Sequence, residues 1–478
     1  MPAAKNLKHA FFEFLKFHQL LPKGASVLVA VSGGQDSVAL LDLLLQWQKG
    51  LSFRLGVVHI QHHLREEAEA DARFVAELAK HCGLPFFRKD VDVHAMVQQH
   101  RFSIEEAARL LREDALRQVL QEHNFDWIAT GHTLSDQVET LLMRIIQGTG
   151  ITGLAGIRLK RPPFVRPLLF ATREEVATYV QRRRLPYRED KSNRDPRFLR
   201  NRLRLTVLPF LKQTLPEFRE KALGNLAMIA ADWEAFVQQQ ISTAWQQIVQ
   251  EASPLKITLE LPLFWQYFSG IQYGIIETIV STLKGERVLL SYQQYTHLKY
   301  WLQSPHSRPE FWVDPMIGVN RVGQNALFFH KNRLEHYRLQ WDQQPVPLGQ
   351  PIPWLDRELI LTRELKPEGL TFSSATPSVQ YLDADCVGEK IWVAFPRQES
   401  TFRPLGSSRA LPILEFLKKA KVPYSLRPYT PVLMGRPGVV AIPGVRIGEP
   451  CKIQPQTKRV LKIAIREQHE NTQKHSHG

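Results

Sequence analysis

The chain has 478 residues, of which 44% are hydrophobic and 23% are charged, and it carries a formal net charge of +15. This ordinary globular composition suffices for about three domains and excludes wholesale disorder, collagen-like repeats and a continuous coiled coil. Three widely spaced cysteines argue against a secreted disulfide scaffold and against a cysteine-ligated zinc or iron–sulfur site. Because every apolar stretch is too short to span a bilayer, we expect no membrane association and a cytoplasmic protein.

The first 150 residues alternate between short apolar strands and helices. The predicted strands are 27–31, 55–60, 85–91 and 127–130, and the predicted helices are 7–21, 37–48, 65–82, 103–123 and 135–147. This alternation predicts an α/β domain with a doubly wound parallel sheet. The loops that follow the strands of such a sheet lie along one edge, where ligands bind.

Beyond the first domain, which we place at residues 1–215, the alternation ends. Residues 216–342 are expected to form a mainly helical domain, and residues 343–380 a proline-punctuated linker with connecting strands. Residues 381–466 are expected to form a small α+β domain in which strands predominate.

The positive charge is concentrated in two segments. Residues 158–204 contain 15 basic against 5 acidic side chains, and residues 396–463 contain 13 against 3. Aromatic residues occur within both segments. Basic side chains bind phosphates and aromatic rings stack on bases, so the pattern predicts an RNA surface. The alternative is a basic protein whose charge only keeps it soluble.

The segment from Ser32 to Ser37 ends the first predicted strand and opens a helix. Gly33 and Gly34 allow a tight turn and a close approach of the backbone to a ligand. The N–H groups at the helix start favour a phosphate chain, on which Asp36 can hold a magnesium ion. The alternative is an ordinary turn in which serine and aspartate cap the helix.

The pattern S-G-G-x-D-S resembles the pyrophosphate loop of the N-type ATP pyrophosphatases, whereas the P-loop and dinucleotide-binding signatures are absent. The resemblance implies that ATP is cleaved between its α and β phosphates, so that the substrate is adenylated. The residues that we assign to ATP binding are Ser32, Gly33, Gly34, Gln35, Asp36, Ser37 and His132.

Two carboxylates and a basic cluster form further candidate sites. Asp136 and Glu139 are three residues apart at a predicted helix start, so both carboxylates lie on one face of the helix. They either cap the helix or bind an ammonium or metal ion. Arg197, Arg200 and Arg204 share another helix face, which is either a solvated basic face or a contact to the substrate.

The order of the motifs resembles that of the tRNA(Ile)-lysidine synthetases. Besides the pyrophosphate loop, the matching segments are G-H-x-x-x-D-Q-x-E-T at 131–140, R-x-x-x-G-T-G at 144–150, R-P-L-L at 166–169, Y-x-x-D-x-S-N at 187–193 and R-N-x-x-R at 200–204. The resemblance covers the first 210 residues well and the last 80 moderately. One departure is Glu113, which stands where the family pattern has a tyrosine.

The resemblance implies ATP-dependent ligation of free L-lysine to C2 of the wobble cytidine of a CAU-anticodon tRNA(Ile), through an adenylated cytidine. AMP and pyrophosphate leave, and lysidine is formed. ATP and Mg²⁺ are the implied cofactors, with the magnesium on Asp36. Asp136 and Glu139 are the implied lysine-binding residues, and either could act as the general base. The implied catalytic residues are Asp36, Asp136, Glu139 and Arg204.

Contacts to tRNA are expected from arginines in several motifs. These residues are Arg109, Arg112, Arg144, Arg197, Arg200, Arg204, Arg403 and Arg427. For Arg109 and Arg112, a row of structural ion pairs with Glu106 is nearly as good an explanation. Whether the protein is a homodimer stays open.

Two other functions remain as alternatives. The first is another tRNA-modifying enzyme of the same superfamily, a thiolase. That chemistry needs paired cysteines or a cysteine-bound cluster, and Cys82 is the only cysteine in the catalytic part of the sequence. The second is a non-catalytic tRNA-binding module, against which the intact carboxylates argue.

Overall fold

The computed structural model describes residues 6–48, 53–63, 68–100, 103–188, 199–304, 309–370, 376 and 378–467. These residues form two compact units, one of which ends at Phe236 while the other begins at Val237. None of the helices in the described part of the chain is both long and apolar enough to cross a membrane.

The first unit contains six strands and ten complete helices in its described residues, and an eleventh helix continues into the second unit. The strands are β1 (Ser26–Ala30), β2 (Arg54–Gln61), β3 (Phe86–Asp90), β4 (Trp127–Ala129), β5 (Lys160–Arg161) and β6 (Phe164–Val165). The helices are α1 (Leu7–Phe17), α2 (Gln35–Gln48), α3 (Ala68–His81), α4 (Val93–His100), α5 (Ile104–Glu122), α6 (Leu134–Gln147), α7 (Ile151–Leu154), α8 (Arg173–Arg183), α9 (Leu199–Arg202), α10 (Leu208–Thr214) and α11 (Glu220–Ile248). A π-helical turn, Leu203–Val207, joins α9 to α10.

The six strands form one sheet in the order β3-β2-β1-β4-β6-β5. All neighbouring pairs are parallel except β5 with β6. The predicted doubly wound α/β fold is therefore confirmed. Because β2 and β4 lie on opposite sides of β1, the strand order reverses there, which is where such sheets bind ligands.

Strand β1 is apolar after Ser26 because helices cover both faces of the sheet. Val27 and Val29 face the larger core, to which α1, α2 and α8 contribute, whereas Leu28 faces a second core that includes residues of α5. All three side chains are fully buried. The strand is thus held rigidly on both sides, and so is the start of the loop that follows it.

The second unit is built mainly from antiparallel sheets in its described residues. Its strands are β7 (Val249–Ala252), β8 (Lys256–Glu260), β9 (Glu310–Trp312), β10 (Ile317–Val322), β11 (Asn325–His330), β12 (Pro351–Trp354), β13 (Arg357–Leu365), β14 (Val379–Asp383), β15 (Trp392–Ala394), β16 (Thr401–Phe402), β17 (Leu411–Pro412), β18 (Val432–Gly435), β19 (Gly438–Ile442), β20 (Arg446–Ile447) and β21 (Arg459–Glu467). Its helices are α12 (Leu261–Phe264), α13 (Ser269–Lys284), α14 (Tyr292–Gln303), α15 (Lys331–Trp341), α16 (Ala384–Val387) and α17 (Ile413–Lys419).

The region 216–342 contains the expected helices and also a sheet that the sequence did not predict. Strands β7, β8, β11, β10 and β9 pair in that order. Strand β8 buries Ile257 and Leu259 and leaves its other side chains partly exposed, so it has the period of two that a half-buried strand requires. The strands are short and lie between helices, which hid this period in the sequence.

The C-terminal part has the strand-rich α+β structure that was predicted. Within the segment predicted as a linker, β12 and β13 join a sheet with the order β12-β13-β21-β14. Strand β13 pairs with β21 from Arg357 opposite Glu467 to Leu365 opposite Arg459. A second sheet has the order β15-β18-β19-β20.

Candidate active site

The loops that follow β1 and β4 lie side by side at the carboxyl edge of the sheet, because these two strands pair directly. Gly131 makes the close approach possible. A Cβ atom on Gly131 would lie 3.1 Å from both the carbonyl carbon of Asp36 and the amide nitrogen of Ser37. A larger residue would therefore push the second loop away from the start of α2.

The predicted phosphate loop is shaped by its own serines. Gly33 has a φ of +89°, a conformation that side chains disfavour. The Ser37 hydroxyl donates to the Gly34 carbonyl (Oγ···O 2.8 Å) and accepts from the Ser32 amide (N···Oγ 3.2 Å). Gln35 begins α2, so the loop leads directly into the N-terminus of that helix. This is a geometry that suits a phosphate chain.

Asp36 has an oxygen that is available to a cation. Its Oδ1 atom is buried and has no hydrogen-bond partner among the residues that the structure describes. Burial, reinforced by the nearby Asp136, raises the pKa of Asp36 to about 6, although Arg173 and Arg204 act in the opposite direction. Such a carboxylate oxygen beside a phosphate loop fits magnesium, which one or two carboxylates usually bind together with substrate phosphates.

A metal site built from side chains alone is not found in the described ranges. No group of three or more histidine, cysteine, aspartate or glutamate side chains there is placed to hold a metal ion.

Asp136 and Glu139 lie in the first two turns of α6 and are both buried. Asp136 forms a capping box with Thr133, whose amide donates to Asp136 Oδ2 (N···O 2.8 Å). The side chain of Glu139 is fully buried. Asp136 therefore does cap the helix through Oδ2, as the alternative interpretation held. Its Oδ1 atom and both oxygens of Glu139 accept hydrogen bonds from other partners.

These partners are three arginines. From the start of α8, Arg173 donates to Asp136 Oδ1 (Nη2···O 2.9 Å) and to Glu139 Oε1 (Nη1···O 3.1 Å). Arg200 donates to Asp136 Oδ1 (Nη2···O 3.0 Å) and Glu139 Oε2 (Nε···O 2.8 Å). Arg204 donates to both oxygens of Glu139, with Nε···Oε1 and Nη2···Oε2 distances of 2.7 and 2.9 Å.

The arginines keep the two α6 carboxylates ionised. Burial alone would raise the pKa of Asp136, but Arg200 and Arg173 outweigh it and hold the pKa below its usual range. Burial likewise opposes ionisation of Glu139, whose pKa the hydrogen bond from Arg204 and the charge of Arg200 nevertheless lower. The site thus contains one carboxyl group that resists ionisation, Asp36, and two that are firmly ionised.

Comparisons with known proteins agree with the motifs. The sequence profile of a family described as a PP-loop domain matches residues 4–211. A curated protein from Dehalococcoides mccartyi, named tRNA(Ile)-lysidine synthase, is 30% identical over 476 residues, which cover 95% of this chain and 98% of that protein. The chain belongs to the tRNA(Ile)-lysidine synthase family.

Other members of the lysidine synthase family are similarly related. The protein of that name from Clostridium tetani is 27% identical, over 95% of this chain and 97% of its own length. The one from Bacillus cereus is 34% identical over 57% of this chain and 58% of its own length. As a member of this family, the chain is a PP-loop ligase that uses ATP in the modification of tRNA.

Several further residues predicted for the lysidine synthase site lie in this first unit. His132 follows β4, and its Nδ1 atom is 2.9 Å from the Thr130 hydroxyl oxygen. Arg144, near the end of α6, donates to the Gly153 carbonyl (Nη1···O 2.8 Å). It therefore supports the glycine-rich turn after α6.

Two predicted tRNA contacts, Arg109 and Arg112, are exposed on α5. Glu113, which replaces the tyrosine of the family pattern, accepts from Arg161 (Nη2···Oε2 2.5 Å) and lies 3.6 Å from Arg109 (Nη1···Oε1). The position of Glu113 is therefore used for ion pairs with Arg161 and Arg109, whereas the alternative for this row had named Glu106 as the acidic partner.

The remaining predicted tRNA contacts lie elsewhere. Arg403 is exposed in the second unit. Arg427 donates to the Val422 carbonyl (Nε···O 3.0 Å) and lies over the Tyr424 ring, 5.6 Å from its centroid. Arg197 lies outside the described residues.

Sequence reasoning missed Arg173 as a site residue of this lysidine synthase family member. It is the first residue of α8, after the capping residue Thr172. A cation in the first turn of a helix is repelled by the positive end of the helix dipole. An arginine at this position therefore signals that a nearby anion compensates for its charge. The compensating anions are the carboxylates of Asp136 and Glu139.

Proposed function

We propose that this protein joins free L-lysine to C2 of the wobble cytidine of a CAU-anticodon tRNA(Ile), through an adenylated cytidine. The observation that carries the proposal is the placement of a phosphate loop directly beside two buried, ionised carboxylates. The loop suits a triphosphate, and the carboxylates suit an ammonium group. Three curated proteins of the same family bear the name of this activity.

In the first step, the C2 oxygen of the cytidine attacks the α-phosphate of ATP and the bond to the β-phosphate breaks. Negative charge then accumulates on the departing pyrophosphate, which the amides at the start of α2 stabilise. Magnesium held by Asp36 and the phosphates would neutralise part of that charge. Since burial raises the pKa of Asp36 to about 6, a bound divalent cation would also favour its ionised form.

In the second step, the ε-amine of lysine attacks C2 and AMP leaves with the C2 oxygen. Asp136 and Glu139 bind the incoming ammonium, and one of them takes the proton that the amine loses as the new C–N bond forms. Paired with arginines, both carboxylates are weak bases because their pKa values are lowered. The carboxylate therefore acts as a base only after at least one arginine has moved away from it. Separately, we assign Arg204 to contact with the phosphate of the reacting nucleotide.

The proposal divides the chain into parts with different tasks. Residues 1–215 bind ATP and lysine and perform the chemistry, while residues 216–342 and 381–466 bind tRNA. The two basic segments, 158–204 and 396–463, supply most of the attraction to the phosphate backbone.

Direct analysis of the tRNA tests this proposal. The protein is incubated with a tRNA(Ile) transcript bearing a CAU anticodon, ATP, Mg²⁺ and isotopically labelled lysine, and the digested nucleosides are examined by mass spectrometry. We expect one lysine per tRNA, attached to the wobble cytidine. A transcript with uridine at that position is the matched control. Failure to label the cytidine transcript, or equal labelling of both transcripts, would contradict the proposal.

A further inference from the structure

Three carboxylates and three guanidinium groups meet between the phosphate loop and α6. Arg173 contacts all three carboxylates. Its Nε atom lies 3.7 Å from Asp36 Oδ2, and its Nη2 and Nη1 atoms lie 2.9 Å from Asp136 Oδ1 and 3.1 Å from Glu139 Oε1. It therefore spans the two halves of the site, the one proposed for ATP and the one proposed for lysine.

We propose that Arg173 is a positioning residue whose guanidinium occupies the site of the lysine ammonium while no ligand is bound. When a nucleotide binds, the guanidinium moves away from that site. The inference rests on the proposed function, because it takes Asp136 and Glu139 as the lysine-binding residues. The inference adds a coupling between the two substrates, because nucleotide binding frees Asp136 and Glu139 to bind the lysine ammonium.

Asp136 and Glu139 have no free capacity for another cation as long as the three arginines are in place. Both oxygens of Glu139 accept from two guanidinium N–H groups each, and Asp136 Oδ1 accepts from Arg173 and Arg200. Asp136 Oδ2 accepts from Thr133. A lysine ammonium added to this neutral cluster would bury an uncompensated positive charge, which is costly. One guanidinium group has to leave first.

Arg173 is the group best placed to leave. Its amide donates to the Ser135 hydroxyl (N···Oγ 3.1 Å), and that hydroxyl donates to Glu220 (Oγ···Oε2 2.9 Å). The main chain at the start of α8 is thereby fixed to α6, so the movement needs only the side chain. About 30% of that side chain is exposed, as for Arg200 and compared with 21% for Arg204, and Arg173 also has an ion pair with Asp36 at 3.7 Å (Nε···Oδ2).

A nucleotide offers Arg173 a new partner at short range. Its Nε atom already faces Asp36, which belongs to the phosphate loop. Guanidinium groups bind phosphates through paired hydrogen bonds, which are stronger than hydrogen bonds between neutral groups. When the guanidinium turns towards phosphate oxygens, Asp136 and Glu139 each lose one donor, and a lysine ammonium can replace both donors without changing the charge of the cluster.

This exchange makes lysine binding and nucleotide binding cooperative. Couplings of this kind are typically 5- to 150-fold in affinity, and each ligand must raise the affinity of the other by the same factor. We therefore expect a non-hydrolysable ATP analogue to raise lysine affinity by about tenfold or more, and lysine to raise the affinity of the analogue equally.

The test uses the full-length protein and its Arg173→Gln variant. Lysine affinity is measured by calorimetry with and without the α,β-methylene analogue of ATP. The variant lacks the competing cation, so we expect it to bind lysine without nucleotide about as tightly as the loaded parent does, with a coupling below about twofold. Lysine should also raise the melting temperature of the nucleotide-free variant more than that of the parent, because it restores the missing charge.

Arg182→Gln is the matched control, since Arg182 is an exposed residue on the same helix. It should retain the coupling of the parent. If Arg173→Gln does not fold, Arg173→Lys takes its place. The compact ammonium of a lysine at position 173 cannot reach three carboxylates at once. The coupling in Arg173→Lys should therefore be weaker than in the parent but above about twofold.

Three outcomes are distinguishable. An Arg173→Gln variant that needs nucleotide for lysine binding as much as the parent does overturns the inference. A parent protein that binds lysine equally well with and without nucleotide also overturns it, but leaves the lysine site in place. A parent that binds no lysine under either condition contradicts the proposed function itself.

Discussion

Three carboxyl groups at the edge of the sheet differ in ionisation because their neighbours differ. Asp36 is affected mainly by burial and by the negative charge of Asp136, so its pKa rises to about 6. The side chains of Asp136 and Glu139 are less exposed than that of Asp36, yet arginines lower their pKa values. Burial therefore gives opposite results, and the arginines decide which carboxylates stay charged.

Glu139→Gln should separate the two proposed steps. The variant keeps the size of the side chain but loses the charge that binds the amine. We expect lysine incorporation to fall by about 100-fold or more while adenylated tRNA accumulates, as seen by nucleoside mass spectrometry. Because the change also leaves buried guanidinium groups without a counter-charge, the variant should be less stable by about 3–5 kcal/mol.

The control for this variant is Glu174→Gln. Glu174 is exposed on α8, where it pairs with Lys212 (Nζ···Oε1 2.7 Å). It should leave both steps and the stability nearly unchanged. Undiminished lysine turnover by Glu139→Gln would remove Glu139 from the lysine site.

His132 should stay neutral throughout the physiological pH range. Burial lowers its pKa from 6.5 to about 3, opposed by the charge of Asp136 and assisted by those of Arg112, Arg166 and Arg200. Between pH 6.5 and about pH 3, the unfolded chain binds this proton and the folded protein does not. The group therefore contributes stability above pH 6.5 that is lost as the pH falls below 6.5.

Nuclear magnetic resonance of the protein labelled in its histidines tests this expectation. The imidazole signal that disappears in His132→Gln should not shift between pH 8 and pH 5, while signals of exposed histidines do. A titration of that signal near pH 6.5 would show that the ring is solvated and charged.

Among the elements, the strand–loop–helix units after β1 and β4 depend on one close contact. Gly131 lies so near the start of α2 that a Cβ atom would be 3.1 Å from the carbonyl carbon of Asp36 and the amide nitrogen of Ser37. Two backbone segments cannot yield as a flexible side chain can. The spacing of the two loops is therefore set by a residue that is itself chemically inert.

Gly131→Ala should move the phosphate loop without removing any polar group. Overpacking of this kind typically costs about 1–3 kcal/mol, so the KM for ATP should rise about 5- to 150-fold. Gly150→Ala is the control, because a Cβ atom there meets no atom within 4 Å and φ is −83°. Equal ATP kinetics in the two variants would show that the contact is unimportant.

Much of the first unit could be predicted at the level of elements. Strands β1, β2 and β4 are short runs that include buried apolar side chains, and all four strands from β1 to β4 lie within about two residues of their predicted bounds. Helix α1 ends earlier than predicted, at Phe17, because Gln19 has a φ of +45° and the Leu20 amide turns back to the Leu15 carbonyl. Local periodicity does not reveal such a capping turn.

The arginine contacts could not be predicted in the same way. The pairing of Asp136 with Glu139 followed from their spacing on one helix, but the contacts of Arg200 and Arg204 with Glu139 join residues 61 and 65 positions apart. Their basic helix face was interpreted as a surface for RNA or as a solvated face. In the structure, both guanidinium groups contact the buried carboxylates, and their predicted role at the substrate stays a prediction.

At the scale of the whole molecule, the charge of the second unit is carried by particular exposed residues. Residues 396–463 contain 13 basic and 3 acidic side chains. Arg403 is exposed, whereas Arg427 is occupied by the Val422 carbonyl and the Tyr424 ring. Arg403 is therefore the better test of tRNA binding, since replacing Arg427 would also disturb the fold.

Arg403→Gln should weaken tRNA binding and make it less sensitive to salt. Loss of one phosphate contact should reduce the slope of log K against log salt concentration by about 0.7–0.9. Arg357→Gln is the control, because Arg357 is also exposed in the second unit but lies outside the basic segments. An unchanged slope for Arg403→Gln, or the same loss in both variants, would speak against a role of this segment in binding.

The fate of ATP tests the central claim most directly, namely that the loop after β1 holds a triphosphate for cleavage between its α and β phosphates. ATP labelled on the α- and γ-phosphates is incubated with the protein, the CAU-anticodon tRNA(Ile) and lysine, and the products are separated by chromatography. We predict one AMP and one pyrophosphate for each lysidine formed, and no reaction with Asp36→Asn. ADP and orthophosphate as products, or consumption of ATP that does not depend on the tRNA, would contradict the account.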